Sequence, residues 1–476
     1  CIYALGHAIL RCTSCLAPKS RQKFLRGVVK MSATPDLLKG EPKKLFFKYL
    51  VPSISATLVT SVYILADSII IGKGVGSDGI AALNILLPLF SFYFALGILY
   101  GVGGGILFSI SNGNNRPDKA RQYFTTAFIM LIMTAVIMLA LSNIFFKPLM
   151  YLLGATDSSY ALVAEYGKYL TGFCFIFMIV NFFQAFVRND KAPKRAMAAT
   201  IAGGVTNIVL DLVFIYIFHM GMAGGAIATV IGNILNLFIL LSHFLSPKCS
   251  LKFAFSPSFV RNAVQIFHSG ISSFLLDVAS GIVILIFNVQ ILRYLGDTGL
   301  VVYSIISNSL LIATSFFNGV SQASQPLVAS NFGAKQQARV FAFRKIAAIT
   351  VGTFGCIFTL LGLLFPETII NIFVVSTPEI LALGKVAIRL YFTALMFMSL
   401  NVLFITYLQS TLKAWYALTL SLLRGFILCI LFIFIFPAVF GTTSIWLVMP
   451  ATELFTLATG IVFLRKCDMA VSPMSK

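Results

Sequence analysis

The sequence predicts an all-α polytopic membrane protein with twelve transmembrane helices in two pseudo-symmetric six-helix bundles. Of its 476 residues, 59% are hydrophobic and 11% are charged, whereas soluble domains carry about 25% charged residues. With so few charges, the chain could not cover a surface that faces water. Long apolar runs recur from Phe46 to Leu464, and many exceed the roughly 20 residues with which a helix crosses a bilayer. Continuous runs such as Ala127–Ala140 argue against the alternating strands of a membrane barrel.

The apolar runs divide the chain into twelve predicted helices. Basic residues test this division, because positive charge collects in cytoplasmic loops. The even-numbered connections carry basic clusters, and the odd-numbered ones carry almost none, the exceptions being Lys73, Lys147 and Arg293. With both termini in the cytoplasm, every basic cluster lies on one side, so the net charge of +20 reflects topology rather than nucleic-acid binding. The predicted helices are 46–71, 80–110, 122–146, 160–187, 196–218, 223–245, 263–292, 299–330, 346–366, 382–410, 417–436 and 443–464.

An internal repeat relates the two halves of the chain. Gly101-Val102 in helix 2 recurs 218 residues later as Gly319-Val320 in helix 8, and the same spacing relates Ala120-Arg121 to Ala338-Arg339. Each half contains six helices, an even number, so the repeats run parallel about an axis along the membrane normal. Parallel repeats are typical of carriers whose two bundles rock around a central cavity.

This repeat predicts five segments. We expect residues 1–45 to form a disordered cytoplasmic extension, and we expect its first 30 residues to be a disordered extension or upstream translation with no part in transport. Residues 46–245 form the N-lobe, 246–262 a basic inter-lobe linker, 263–464 the C-lobe and 465–476 a cytoplasmic tail.

Acidic side chains inside the predicted helices are the most informative residues for function. Each costs at least about 2.5 kcal/mol at the centre of a membrane helix, so each needs a compensating environment, either a structural partner or a functional ligand. Asp67 and Asp211 have no basic residue nearby in sequence, which favours a functional role. The four acids are Asp67 in helix 1, Asp211 in helix 5, Asp277 in helix 7 and Glu453 in helix 12.

Further polar residues could complete a site around Asp211. Asn207 lies one turn earlier on the same face of helix 5. Asn181 in helix 4 and Thr229 in helix 6 could supply more oxygen atoms. A carboxyl pair with amide and hydroxyl oxygens can hold a proton or sodium, since burial disfavours the charged form of a carboxyl. The residues leave the choice of ion open. We expect no cofactor, and no metal apart from Na⁺ at Asp67 and Asp211.

Two motifs resemble those of a known family. The segment Ala66–Gly72, followed by Val75-Gly76 and Ala81-Ala82, resembles the helix 1 signature of MATE (multidrug and toxin extrusion) transporters. The segment Asn207–Asp211, followed by Gly224–Thr229, resembles their helix 5–6 signature. The resemblance covers residues 40–465 and is strongest to the prokaryotic MepA- and DinF-like branch of the MOP flippase superfamily.

The resemblance implies a cation-coupled antiporter that exports organic cations, drugs or other amphipathic xenobiotics by alternating access. It assigns the H⁺ or Na⁺ site to Asp67 and Asp211, and it places a helix 1 bend at Pro52, where the missing backbone donor allows bending. Asn181, Asn207 and Thr229 match the polar groups of that site.

Some relatives have a C-lobe sodium site built on a helix 7 acid. Asp277 falls about one turn from the expected place, where Ser280 stands, and Glu453 is the other candidate for such a site. This departure favours the N-lobe as the coupling site.

Other functions fit less well. A lipid-linked oligosaccharide flippase of the same superfamily would have more basic residues in its first lobe. A membrane-embedded transferase would need an HxxxxD or DxD motif or paired histidines, and the chain has none. We therefore expect a non-enzymatic monomer in a bacterial inner membrane, whose partners are the bilayer and small amphipathic or cationic substrates, without nucleic acid.

Overall fold

The computed structural model describes residues 37–374 and 377–471, and this part of the chain contains helices and no strand. The first long helix begins at Pro42, four residues earlier than predicted, because Pro42 supplies a pre-formed φ at the first helical position. Most of the predicted N-terminal extension, residues 1–36, and the end of the predicted tail, residues 472–476, lie outside the described residues.

Ten helices in the described part are long and apolar enough to cross a membrane, and one bent helix pair forms a further span. We label the spans in chain order. They are α1 (Pro42–Gly74), α2 (Ser77–Gly113), α3 (Pro117–Ile144), α4 (Tyr160–Gly172 with Cys174–Asn189), α5 (Pro193–Ile217), α6 (Gly221–Leu245), α7 and α8 (together Phe259–Gly333), α9 (Gln337–Leu364), α10 (Pro378–Ser410), α11 (Ala414–Phe440) and α12 (Thr442–Met469).

The helical segment Phe259–Gly333 contains two spans. It has 75 residues, and a straight helix of that length would measure about 110 Å, several times the thickness of a hydrocarbon core. Gly296 interrupts it with φ 63° and ψ −160°, a conformation that glycine adopts without steric cost. The chain reverses there, so α7 precedes Gly296 and α8 follows it. With this division the described residues form the twelve predicted membrane helices.

Several spans are irregular near their middle or at their predicted outer end. The two halves of α4 meet at 52° around Phe173. A π-helical turn, Leu212–Ile217, ends α5 directly after Asp211. A second π turn, Leu423–Ile427, interrupts α11. Such turns are rare in helices and often occur at functional sites. The π turn directly after Asp211 therefore marks this residue as a candidate for a functional role.

The apolar side chains of the described residues form two hydrophobic cores, one in each lobe, and α1 contributes to both. Tyr49 and Leu50 belong to the C-lobe core, whereas Ile70 and Ile71 belong to the N-lobe core. Pro52 lies between these two segments and is buried. The first helix therefore connects the lobes, and its proline is close to the point where it passes from one core to the other.

Glycines bring the lobes into close contact on the side predicted to be cytoplasmic. On α2, Gly103 lies against the backbone of Ile266 and Gly270 in α7. Near the ends of α2 and α8, Gly113 lies against the backbone of Ser330. A side chain at these glycines would collide with backbone atoms of the other lobe, so the lobes are sealed along this side.

Candidate functional site

Two facing glycines bring α5 and α6 together. A Cβ built on Gly203 would lie 2.8 Å from the carbonyl oxygen of Gly232, closer than real side chains approach. This close packing places Asn207 of α5 beside Thr229 of α6, and Asn207 Nδ2 donates a hydrogen bond to Thr229 Oγ1 at 3.2 Å. Both polar side chains are buried.

The carboxyl groups of Asp67 in α1 and Asp211 in α5 lie within hydrogen-bonding reach of each other. Asp211 is fully buried and Asp67 is half-buried. Two ionised carboxylates are both acceptors, so this contact becomes a hydrogen bond only when one of them carries a proton. The structure therefore joins two acids that are 144 residues apart in the sequence.

Several oxygen atoms of this site accept no hydrogen bond from any residue that the structure describes. Both carboxyl oxygens of Asp211, Oδ1 of Asp67 and Oδ1 of Asn207 are buried without a hydrogen-bond partner among the described residues. Buried polar atoms are normally satisfied, and each exception calls for an explanation. A set of unpartnered acceptors is the environment that a proton or a small hard cation with a preference for oxygen ligands would complete.

Two tyrosines border the acid pair and were not predicted from the sequence. Tyr63 lies one turn before Asp67 on α1 and is within electrostatic range of it. Tyr166 of α4 is within range of both acids, and its hydroxyl is hydrogen-bonded to Thr229 Oγ1 at 3.4 Å. The spacing of four residues could have indicated Tyr63. Tyr166 had no such signal, because only the packing of α4 against α6 brings it to the site.

The predicted ligand Asn181 is held differently. Its Nδ2 donates to the carbonyl oxygen of Phe177, within α4, at 2.9 Å. Its Cβ lies on the side of α4 that packs against Gly97 of α2. The described hydrogen bonds bring together Asn207 and Thr229 of the predicted set, but they do not connect Asn181 to them.

The middle of α1 is hydrogen-bonded to the C-lobe. Thr57 Oγ1 donates to the carbonyl oxygen of Ser315 in α8 at 2.8 Å. Ser61 Oγ and Ser315 Oγ are 2.5 Å apart. Pro52 precedes Thr57 by about one and a half turns and Ser61 by about two and a half turns. Motion of Asp67 relative to Asp211 would therefore act on a helix that is attached to both lobes.

The described hydrogen bonds and ion pairs do not join the predicted C-lobe residues to one another. Glu453 is fully buried, and its Oε1 accepts a hydrogen bond from Arg424 Nε at 2.6 Å while its Oε2 accepts one from Asn401 Nδ2 at 2.7 Å. Its charge is thus compensated within the lobe. Asp277 is half-buried, and Ser280 donates to its backbone carbonyl at 2.7 Å rather than to its carboxyl group.

Comparisons with known proteins agree with this architecture. The family model MatE matches residues 52–213 and 271–435. The multidrug export protein MepA of Staphylococcus saprophyticus is 25% identical over 424 residues, which cover 87% of this chain and 92% of the relative. MepA of Staphylococcus aureus is 25% identical over 427 residues, which cover 88% of this chain and 93% of the relative.

Solved structures share the fold. An outward-facing multidrug resistance MATE family transporter of the MOP superfamily superposes with a TM-score of 0.86 at 22% identity, covering 93% of this chain and all of the other. A MOP superfamily transporter from Pyrococcus furiosus, described as having a binding pocket of reverse polarity, superposes with a TM-score of 0.85 at 22% identity, covering 94% of this chain and all of the other. Since the MatE model spans most of both lobes, this chain belongs to the MatE family of membrane transporters.

Proposed function

We propose that this protein is an antiporter that couples the inward movement of H⁺ or Na⁺ to the export of organic cations, drugs or other amphipathic xenobiotics. The observation that carries this proposal is the buried Asp67–Asp211 pair with its unpartnered oxygens. The names of the relatives, multidrug export proteins, support the choice of cargo. Export would proceed by alternating access across a bacterial inner membrane, with both termini in the cytoplasm.

The acid pair suits a site that is filled and emptied in each cycle. Two carboxylates in contact repel each other strongly when both are ionised in a medium of low polarity. One proton between them, or one sodium ion held by their oxygens and that of Asn207, removes this repulsion. Because Asp67 is half-buried, it can exchange an ion with water more readily than Asp211 can.

Filling the site would change the position of α1. Binding a positive charge draws Asp67 towards Asp211 and so moves the outer half of α1 relative to the half that packs in the C-lobe core. Pro52 lets the helix bend near this boundary. Ion arrival from outside would bend α1, narrow the cargo cavity and release cargo outward, and ion release inside would reset the site.

An efflux assay in energised vesicles tests the coupling. Asp67→Asn and Asp211→Asn remove the exchangeable proton and the ligand charge, so each should lower gradient-driven dye efflux by about tenfold or more, as coupling energies of 1–3 kcal/mol imply. Protein levels should stay near normal. Asp78→Asn, an exposed acid at the start of α2, is the matched control and should transport like the unmodified protein.

The same vesicles distinguish the ion and the cargo. Efflux is measured under an imposed H⁺ gradient, an imposed Na⁺ gradient and neither, with organic-cation dyes and lipid-linked oligosaccharides compared as cargo. Gradient-driven efflux that persists in the double variant of Asp67 and Asp211 would refute the mechanism. Failure of both single variants to fold would favour a structural role for the pair.

A further inference from the structure

A buried arginine at the lobe interface has no acidic partner among the residues that the structure describes. Arg188, in the last turn of α4, is 6% exposed. Its Nη1 donates to Gln322 Oε1 at 2.7 Å, and its Nε is buried without a hydrogen-bond partner. No acidic side chain within the described ranges lies within ion-pair distance of it. An uncompensated cation inside a membrane protein is costly and is usually functional.

Asp190, the acid nearest to Arg188 in the sequence, has other hydrogen-bond partners. Asp190 Oδ2 accepts hydrogen bonds from His243 Nε2 at 2.7 Å and from the backbone N–H of Ser250 at 2.9 Å. The hydroxyl of Ser250 donates to the other carboxyl oxygen. This network joins the end of α4 to the end of α6 and the start of the linker, so Asp190 does not neutralise Arg188.

The contact between Arg188 and Gln322 crosses from one lobe to the other. Arg188 belongs to α4 of the N-lobe and Gln322 to α8 of the C-lobe, on the same side of the molecule as the glycine contacts that seal the lobes. Alternating access requires the lobes to separate on this side. Separation would open the guanidinium, with most of its five donors free, towards the cavity through which cargo enters.

We propose that Arg188 and Gln322 form an anion-recognition subsite that binds a carboxylate or phosphate group of the transported amphiphile. This inference rests on the proposed export function and adds to it an anionic group on the preferred cargo. A guanidinium matches such groups with two parallel hydrogen bonds. Gln322 Oε1 orients the guanidinium, and the amide group of the same side chain remains a donor for the anion.

A matched dye pair tests the subsite. A rhodamine ethyl ester and the corresponding free acid share one cationic ring system and differ in a single carboxylate. Binding to the purified full-length protein in neutral-lipid nanodiscs is followed by fluorescence polarisation. Arg188→Gln should weaken binding of the acid about tenfold, the value of one charged hydrogen bond, and leave the ester unchanged. Arg188→Lys should restore part of the difference. Arg261→Gln, which removes an exposed arginine, is the control and should change neither.

A second variant tests the subsite even if Arg188→Gln does not fold correctly. Gln322→Glu gives Arg188 a permanent partner, so it should fold normally and lose the preference for the acid. Equal weakening of both dyes by these variants would show that the pair only fastens the lobes and would overturn the proposal. Loss of the acid preference on adding anionic lipid would assign the subsite to a lipid headgroup instead of cargo. Efflux of neither dye by the unmodified protein would refute the export function, while the binding measurements still decide the subsite.

Discussion

At the scale of single residues, the buried charged groups differ in whether other side chains neutralise them. Glu453 is an acid that its own lobe neutralises, since Arg424 and Asn401 occupy its two oxygens. Asp67 and Asp211 face each other and retain unpartnered oxygens. A buried group that keeps its charge needs partners such as those of Glu453, so in the proposed cycle the N-lobe pair, and not Glu453, would be the site that gains and loses an ion.

Glu453→Gln should therefore destabilise the protein without a specific effect on coupling. Breaking a buried ion pair leaves one uncompensated charge, here that of Arg424, at a cost of about 3–5 kcal/mol. Thermal unfolding of the purified protein in detergent measures the loss. The double variant Glu453→Gln, Arg424→Gln should recover most of it, because no charge is left behind. Unchanged stability in the single variant would contradict this structural role.

At the scale of elements, α1 is the helix that connects the Asp67–Asp211 pair with both lobes. Its N-terminal part packs in the C-lobe core, its middle is hydrogen-bonded to α8, and its C-terminal part carries Asp67. A rigid helix with these attachments would hold the lobes in one arrangement. In the proposed cycle, bending at Pro52 would carry a change at the Asp67–Asp211 pair to the other lobe.

Pro52→Ala should slow transport and leave cargo binding intact. Alanine restores the backbone donor that proline lacks and stiffens the helix. We expect the equilibrium dissociation constant of a dye to stay the same while its efflux rate falls several-fold. Pro437→Ala in α11, within one lobe, is the comparison and should have little effect. An unaltered efflux rate in Pro52→Ala would exclude bending at this position from the cycle.

At the scale of the whole molecule, the two lobes share one helical plan and differ in their contacts. Gly101 of α2 packs against Phe182 of α4, whereas its repeat counterpart Gly319 of α8 packs against Ile54 of α1. The repeated residues therefore have different neighbours. The reason is that α1 crosses to the C-lobe and occupies the face of α8.

Gly270→Val should favour a state in which the lobes separate on the predicted cytoplasmic side, where the structure holds them in contact. The added side chain would collide with the backbone of Leu99 in α2 and force the lobes apart there. Spin labels on residues 116 and 336, one in each lobe, should report a longer distance by pulsed EPR than in the unmodified protein. Gly172→Ala, at a position with open space, is the control. An unchanged distance in a folded variant would show that this contact does not limit opening.

The charge pattern predicts the orientation in the membrane. Single cysteines in a cysteine-free background should place residue 118 on the same side as both termini and residue 157 on the opposite side. An impermeant thiol reagent applied to intact cells checks this assignment. Labelling of residue 118 from outside would be incompatible with the twelve-helix topology, because the connection after α2 would then be extracellular.

The sequence by itself predicted the helical membrane fold, the number of spans and, through its motifs, the family, and it singled out Asp67 and Asp211 as candidate coupling residues. The fold and the number of spans follow from quantities that each residue carries alone, namely the transfer free energy of its side chain and the cost of a charge in lipid. The proximity of Asp67 and Asp211 was expected only from the family resemblance, because 143 residues lie between them in the sequence.

The tertiary structure decided which buried groups have partners. The pairing of Glu453 with Arg424, the contribution of Tyr166 to the acid pair and the isolation of Arg188 beside Gln322 depend on which helices are adjacent. Hydropathy does not encode adjacency, because a lipid-facing and a helix-facing apolar side chain have nearly the same transfer free energy. Packing therefore determined which buried charges have partners and which keep the unpartnered atoms on which the proposed ion and cargo sites depend.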